Sequence, residues 1–233
     1  MQRILLKQSI NITVFCIALI SLVPSAIHAQ TTKDVSTSRI FREMQASKQQ
    51  VKSSGMRRDT ATFAAGCYWC VEAQYKELNG VDTVISGFTG GTTPNPTYEQ
   101  VAKGTTGYAE ACNVIYDPSK ISYTELLAAF FVVHDPTQLN RQGDEIGTEY
   151  RSAIFYHNAE QKKLSEYYIK RLNEEKVYPT SIVTQVQPYT IFYKAGKNDQ
   201  NYYAKNPIAP YCTKVIQPKL DRFKKVFQEK LKR

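Results

Sequence analysis

Gly66-Cys67-Tyr68-Trp69-Cys70-Val71-Glu72 follows directly on the run Thr60-Ala61-Thr62-Phe63-Ala64-Ala65. The join predicts a strand, a tight glycine turn and a helix that begins with a thiol. Unpaired amides and the positive end of a helix favour a thiolate over a thiol. Cys67 is therefore the candidate nucleophile.

Working outward, the spacing predicts a helix over residues 67–78, with Val71, Tyr75 and Leu78 on one face, and a strand over 81–88. Gly87-Phe88-Thr89-Gly90-Gly91, with Pro94 and Pro96, reads as a loop. A short helix over 97–103 and a strand over 108–116 follow, and Ser122, with Glu125 three residues on, opens a helix over 122–134. A strand over 151–157, a helix over 158–175 capped by Asn158 and a strand over 181–186 continue the alternation. The basic segment Lys219–Arg233 carries Leu220, Phe223, Val226, Phe227 and Leu231 at helical spacing. Interleaved elements of this kind predict helices packed on a mixed sheet.

The front of the chain reads differently. Arg3 and Lys7 precede an apolar run, Ile10–Val23, and small residues lead to Ala29, the pattern of a signal peptide over residues 1–29. The run falls short of the roughly 18–20 residues that a membrane span needs. The mature protein is expected to be exported, to the periplasm or another extracytoplasmic space, with no stable membrane insertion after cleavage. Residues 30–58 are rich in Thr, Ser, Gln, Lys and Arg and read as a flexible lead-in with a short helix around Ile40–Lys52. Residues 59–233 suffice for one catalytic domain with a full core. The net charge of +9 falls to +7 once Arg3 and Lys7 leave with the signal. Because those cations are dispersed along the chain and not clustered with aromatics, no nucleic-acid partner is expected.

Several blocks in order and spacing carry a family resemblance. They are Gly66–Glu72, Gly87–Gly91, Pro94-Asn95-Pro96-Thr97-Tyr98, Gly107-Tyr108-Ala109-Glu110, Tyr116-Asp117-Pro118, His134-Asp135-Pro136-Thr137, Arg141-Gln142-Gly143, Gly147–Ser152 and Lys205-Asn206-Pro207. Together they resemble the A-type peptide methionine sulfoxide reductases. The resemblance implies an α+β two-layer sandwich with a ferredoxin-like mixed sheet. It also implies reduction of methionine S-sulfoxide, free or in proteins, with no metal or cofactor. Under it Cys67 is the nucleophile, Tyr68 and Trp69 receive the sulfoxide's methyl group, and Glu110, Tyr98 and Tyr150 surround its oxygen. The chemistry asks for the same types: attack on sulfur pushes electrons onto oxygen, so a carboxylic acid kept neutral by an apolar site, helped by two phenols, suits the reaction.

After attack Cys67 becomes a sulfenic acid, and a second thiol must condense with it to give a disulfide that a thioredoxin-like donor opens. Cys70 and Cys212 are the candidates. The resemblance matches Cys212 to a recycling cysteine in the C-terminal tail, and Cys212 is the favoured resolving thiol: that tail is expected to swing, whereas a Cys67–Cys70 bridge within one helical turn needs adjustment. Cys112 reads as a buried apolar residue. Two positions depart from the family pattern. Asp144-Glu145 stands where Asn-Asp is usual, which puts Glu145 in the place of a substrate-site Asp, and Asn198-Asp199-Gln200 stands where His-Gln is common. Two other classes remain open. One is a thiol-disulfide oxidoreductase built on Cys67 and Cys70; the other is a zinc-bound interaction module, against which Cys112 and Cys212 stand alone in the sequence.

Overall fold

Strand β1, Asp59–Ala65, sits at the middle of the sheet and sets its two faces. Ala61, Phe63 and Ala65 point to the main core and Ala64 to the opposite face, as the period of two requires. The computed structural model describes residues 35–47 and 58–233; the expected signal peptide and most of the lead-in lie outside the described residues. Among the described residues no helix is long and apolar enough to cross a membrane.

The strands are β2 (Val81–Thr89), β3 (Ala109–Tyr116), a separate small hairpin of β4 (Arg141–Gln142) and β5 (Glu145–Ile146), β6 (Ser152–Tyr156), β7 (Gln185–Pro188) and β8 (Phe192–Lys194). The main sheet runs β7-β6-β1-β3-β2-β8. Its neighbours are antiparallel except β6 and β7, which are parallel. Helices α1 (Arg39–Ala46), α2 (Tyr68–Tyr75), α4 (Tyr123–Val133), α5 (Ala159–Glu174) and α7 (Gln217–Val226) accompany it, with shorter α3 (Tyr98–Ala102) and α6 (Tyr202–Lys205). This is the α+β arrangement of a mixed sheet with packed helices.

Local signals explain where the helices start. Ser122 Oγ accepts from the Glu125 amide at 3.2 Å while the Ser122 amide donates to Glu125 Oε2 at 2.7 Å, a reciprocal cap. Thr97 and Gln100 repeat it at α3, and Asn158 caps α5 by accepting from the Gln161 amide at 2.9 Å. Across the sheet, Phe63 pairs with Cys112 and Ile154, and Phe88 pairs with Glu110. Glu110 therefore shares the helix-covered face. The opposite face is built from Ala64, Ala109, Ala111, Ala153 and Phe155, covered by Tyr189 and Phe192.

Four expectations shift. The strand expected over 181–186 forms at Gln185–Pro188, because the segment before it is occupied otherwise: the Ile182 amide donates to Asn173 Oδ1 and the Val183 amide to Pro136 O, both at 2.9 Å. The loop expected over Gly87–Gly91 starts later, because β2 runs to Thr89 and its last three residues pair with β8, which like the hairpin β4–β5 and α6 is too short to leave a periodic pattern. The C-terminal helix begins earlier than expected, as a π-helical stretch over Cys212–Ile216 that runs into α7, and ends at Val226. Residues 35–47 are not a flexible lead-in but a docked element: Ile40, Phe41 and Met44 of α1 are buried, Phe41 meets Phe227 edge to face at 5.8 Å, and Ser122 Oγ donates to Ser47 O. Three apolar side chains on one helical face provide the burial that a polar-looking stretch conceals.

Candidate active site

Gly66 makes the turn that delivers Cys67 to the start of α2. Its φ of +82° lies in the left-handed region, and a Cβ there would stand 2.7 Å from Gln142 Cγ. Cys67 is the N-cap of α2 and is 5% exposed. The first residue of the helix is gripped from β3 at both ends of its backbone. The Tyr68 amide donates to Glu110 Oε2 at 3.0 Å, and the Cys112 thiol donates to Tyr68 O at 3.4 Å.

Glu110 is buried at this contact, and desolvation pushes its carboxyl up to about 8, with Glu145, Glu149 and Asp199 adding repulsion against the pull of the Tyr68 amide. At neutral pH it is a neutral acid, the form a proton donor needs. Tyr98, from the start of α3, and Tyr150, from the turn Thr148–Tyr150, both feel the charges of Glu110 and Cys67 and are raised chiefly by burial. Arg151 fixes that turn, donating to Thr148 O at 2.9 Å and to Gly107 O at 3.0 Å. Tyr68 lies between Phe88 and Trp69, with centroids 5.7 and 6.0 Å away. Trp69 stacks on Tyr202 at 3.7 Å with the planes 7° apart, and Tyr211 meets its edge. Tyr68 Oη, Trp69 Nε1, Glu145 Oε2 and Glu149 Oε2 are buried without a protein partner.

The second thiol occupies a different environment. Cys70 Sγ lies 3.9 Å from Lys219 Nζ and 3.7 Å from Tyr211 Oη, and Tyr211 donates to Glu145 Oε1 at 2.5 Å. Cys67 and Cys70 share a hydrogen bond, so they titrate as a pair. Burial first, then that bond and the charges of Glu110 and Glu145, push the Cys67 thiol well up. Cys70 is lowered, first by the bond from Cys67 and, against its own burial, by Lys219 and Tyr211. The helix start alone was expected to favour the Cys67 thiolate; in the closed site burial outweighs it, and of the two thiols Cys70 is the one whose surroundings favour the anion. Cys212 is fully buried in the π-helical stretch, so the swinging tail expected of it is a packed helix. Its thiol is raised by burial and by the nearby Cys70. Glu145 turns toward Tyr211 with one oxygen and keeps the other beside Gly66, near Cys67. Its extra methylene does not remove it from the site.

Residues 59–231 match the family described as peptide methionine sulfoxide reductase. The chain belongs to that family. It is 50% identical over 173 residues to the peptide methionine sulfoxide reductase MsrA of Haloquadratum walsbyi, covering 74% of this chain and 98% of that one. To the MsrA of Natronomonas pharaonis it is 48% identical over 172 residues, with 74% and 97% covered. Among solved structures it resembles reduced Mxr1 from Saccharomyces cerevisiae, with a TM-score of 0.63 and 32% identity over 70% of this chain and 94% of that one. Methionine sulfoxide reductase A of Corynebacterium diphtheriae gives 0.60 and 32% over 71% and 81%. Within this reductase the candidates Cys67, Glu110, Tyr68, Trp69, Tyr98, Tyr150 and Glu145 surround one helix start.

Sequence reasoning missed the contribution of the tail. Tyr202, Tyr211 and Lys219 stand more than 130 positions beyond Cys70 and carry no local signal of their own. They reach α2 because Glu72, buried within it, accepts from the Asn201 amide with both oxygens at 2.8 and 2.9 Å, and because Gln74 Nε2 donates to Lys219 O. Gln200 adds a further tie, exchanging hydrogen bonds with the Ser86 backbone.

Proposed function

We propose that this reductase takes the oxygen from methionine S-sulfoxide, free or within proteins, at Cys67. The observation that carries the reading is the contact of a neutral, buried Glu110 carboxyl with the first amide of the helix that Cys67 caps. The Cys67 thiolate attacks the sulfoxide sulfur. Of the two thiols, Cys67 carries the charge that attacks. The sulfur–oxygen bond passes its electrons to oxygen, Glu110 supplies the proton, and oxygen ends on Cys67. Thiolate, sulfoxide and one proton give sulfenic acid and thioether. Tyr98 and Tyr150 donate to the developing charge, and Trp69 and Tyr68 seat the methyl group. Fixed positions for methyl, oxygen and attacking sulfur admit one configuration at sulfur, and the family resemblance makes it S.

The sulfenic acid is then closed to a disulfide by a neighbouring thiol and reopened by a thioredoxin-like dithiol. Cys70, hydrogen-bonded to Cys67, stands first in line, and Cys212 lies beyond it. The leader Met1–Ala29 supports action outside the cytoplasm, in the periplasm or an equivalent compartment, where oxidised proteins are repaired. The test is single-turnover methionine release from separated S and R sulfoxides. Release from the S form alone is expected, and equal rates on both would overturn the assignment.

A further inference from the structure

Lys219 enters from α7, its Nζ 3.9 Å from Cys70 Sγ, and among the described residues no carboxylate lies within ion-pair distance of it. Its place is fixed from two sides. Gln74, one turn beyond Cys70 on α2, donates to the Lys219 carbonyl at 3.3 Å, and Leu220 and Phe223 of the same helix are buried in the core. The wide π-helical turn at Cys212–Ile216 precedes α7 and carries Cys212 on its buried side.

We infer that Lys219 is a positioning residue for recycling: its ammonium stands over the Cys70 sulfur and favours the attack by which Cys70 closes the disulfide with Cys67. This rests on the sulfoxide reductase reading above. Thiol attack on a sulfenic acid depends on the thiolate fraction of the attacker. The groups facing the Cys70 thiol are Cys67 on its own helix, Glu145 from β5, Tyr211 and Cys212 from the tail, and Lys219 from α7. Glu145 opposes the anion, and Cys67, Tyr211 and Lys219 favour it. Tyr211 has one proton, which Glu145 takes at 2.5 Å, so Lys219 is the donor that no second acceptor competes for. In the closing step Cys70 sulfur attacks Cys67 sulfur, the S–S bond forms, the S–O bond of the sulfenic acid breaks, and the departing hydroxide takes a proton to become water. The oxidising equivalents come from the sulfoxide, and no further oxidant is needed.

The experiment follows disulfide closure after one equivalent of methionine S-sulfoxide, by quenched alkylation and peptide mass, as a function of pH. Lys219→Met should slow closure at neutral pH about threefold, the effect of one pKa unit on the attacking thiol after its gain in nucleophilicity, and move its pH profile upward. Lys219→Arg should restore most of the rate with the profile near its original place. A Lys219→Met profile that coincides with the native one would overturn the inference, as would a first disulfide mapped to Cys67–Cys212. An Arg variant as slow as the Met variant would also overturn it, since that outcome reports packing and not charge. If the native protein releases no methionine at all, the sulfoxide reductase reading itself fails, which is a separate result.

Discussion

The first turn of α2 and the turn after it are built from different parts of the chain. The first turn carries Cys67, Tyr68 and Trp69 and is gripped by β3 through Glu110 and Cys112, two residues apart on one strand face. The next carries Cys70, Glu72 and Gln74 and is gripped by the tail through Tyr211, Asn201 and Lys219. One turn is a neutral-acid site in a buried, carboxylate-rich pocket. The other presents a cation and a phenol to a thiol. Two cysteines three residues apart thus receive opposite electrostatic surroundings, which suits the proposed division of oxygen transfer and resetting between them.

The sharpest way to break this division is at Cys67. Cys67→Ser should abolish methionine release in a single turnover, because Cys70 faces the tail and not the carboxyl of Glu110. Substantial product from that variant would erase the distinction between the two thiols.

Glu110→Gln keeps the acceptor for the Tyr68 amide and removes the acid, so the sulfoxide step should slow by roughly two orders of magnitude or more, read as single-turnover methionine release. In the native protein the same step should decline as pH rises through about 8, where Glu110 ionises. Stability gives an independent reading of the same group. The folded pKa is raised, so between the ordinary carboxylate range and about 8 the folded state binds the proton that the unfolded chain has lost. Native stability is therefore fully present below that window and declines as pH rises through it, by about 1.4 kcal/mol per unit at most. The Gln variant lacks this decline, and its melting temperature should overtake the native one as pH approaches 8; parallel curves would show that Glu110 is not held neutral.

On the tail side, Glu72→Ala leaves the Asn201 amide without its buried acceptor and should cost about 2–3 kcal/mol. Cys212, inaccessible in the native protein, should then become open to alkylation. Unchanged melting and continued protection of Cys212 would show that the tail is held elsewhere. The smallest effect is expected from Tyr202→Ala, which removes the ring stacked on Trp69. A stacked pair contributes about 1 kcal/mol, so KM should rise severalfold with little change in kcat.

Local physics made the first turn legible. A glycine that must take positive φ, a thiol at a helix start and aromatic neighbours are consecutive, and the caps at Ser122, Thr97 and Asn158 are equally local signals. The strand order and the docking of α1 had no such signature, since burial of Ile40, Phe41 and Met44 depends on a groove assembled from distant elements. Glu110 is an instructive case. Flanked by alanines, it looks like a solvent-facing carboxylate, but the pairing with Phe88 turns it inward, and Ala109 and Ala111 pack on the opposite face.

The sequence by itself determined the candidate nucleophile, the sheet-and-helix alternation and the family, because these rest on contiguous residues and on motif order. Only the tertiary structure decided which thiol has surroundings that favour its anion and what touches it. A thiol's ionisation depends on burial and on charges within a few ångströms, and those around Cys70 come from residues far along the chain that the buried Glu72–Asn201 contact helps bring into place.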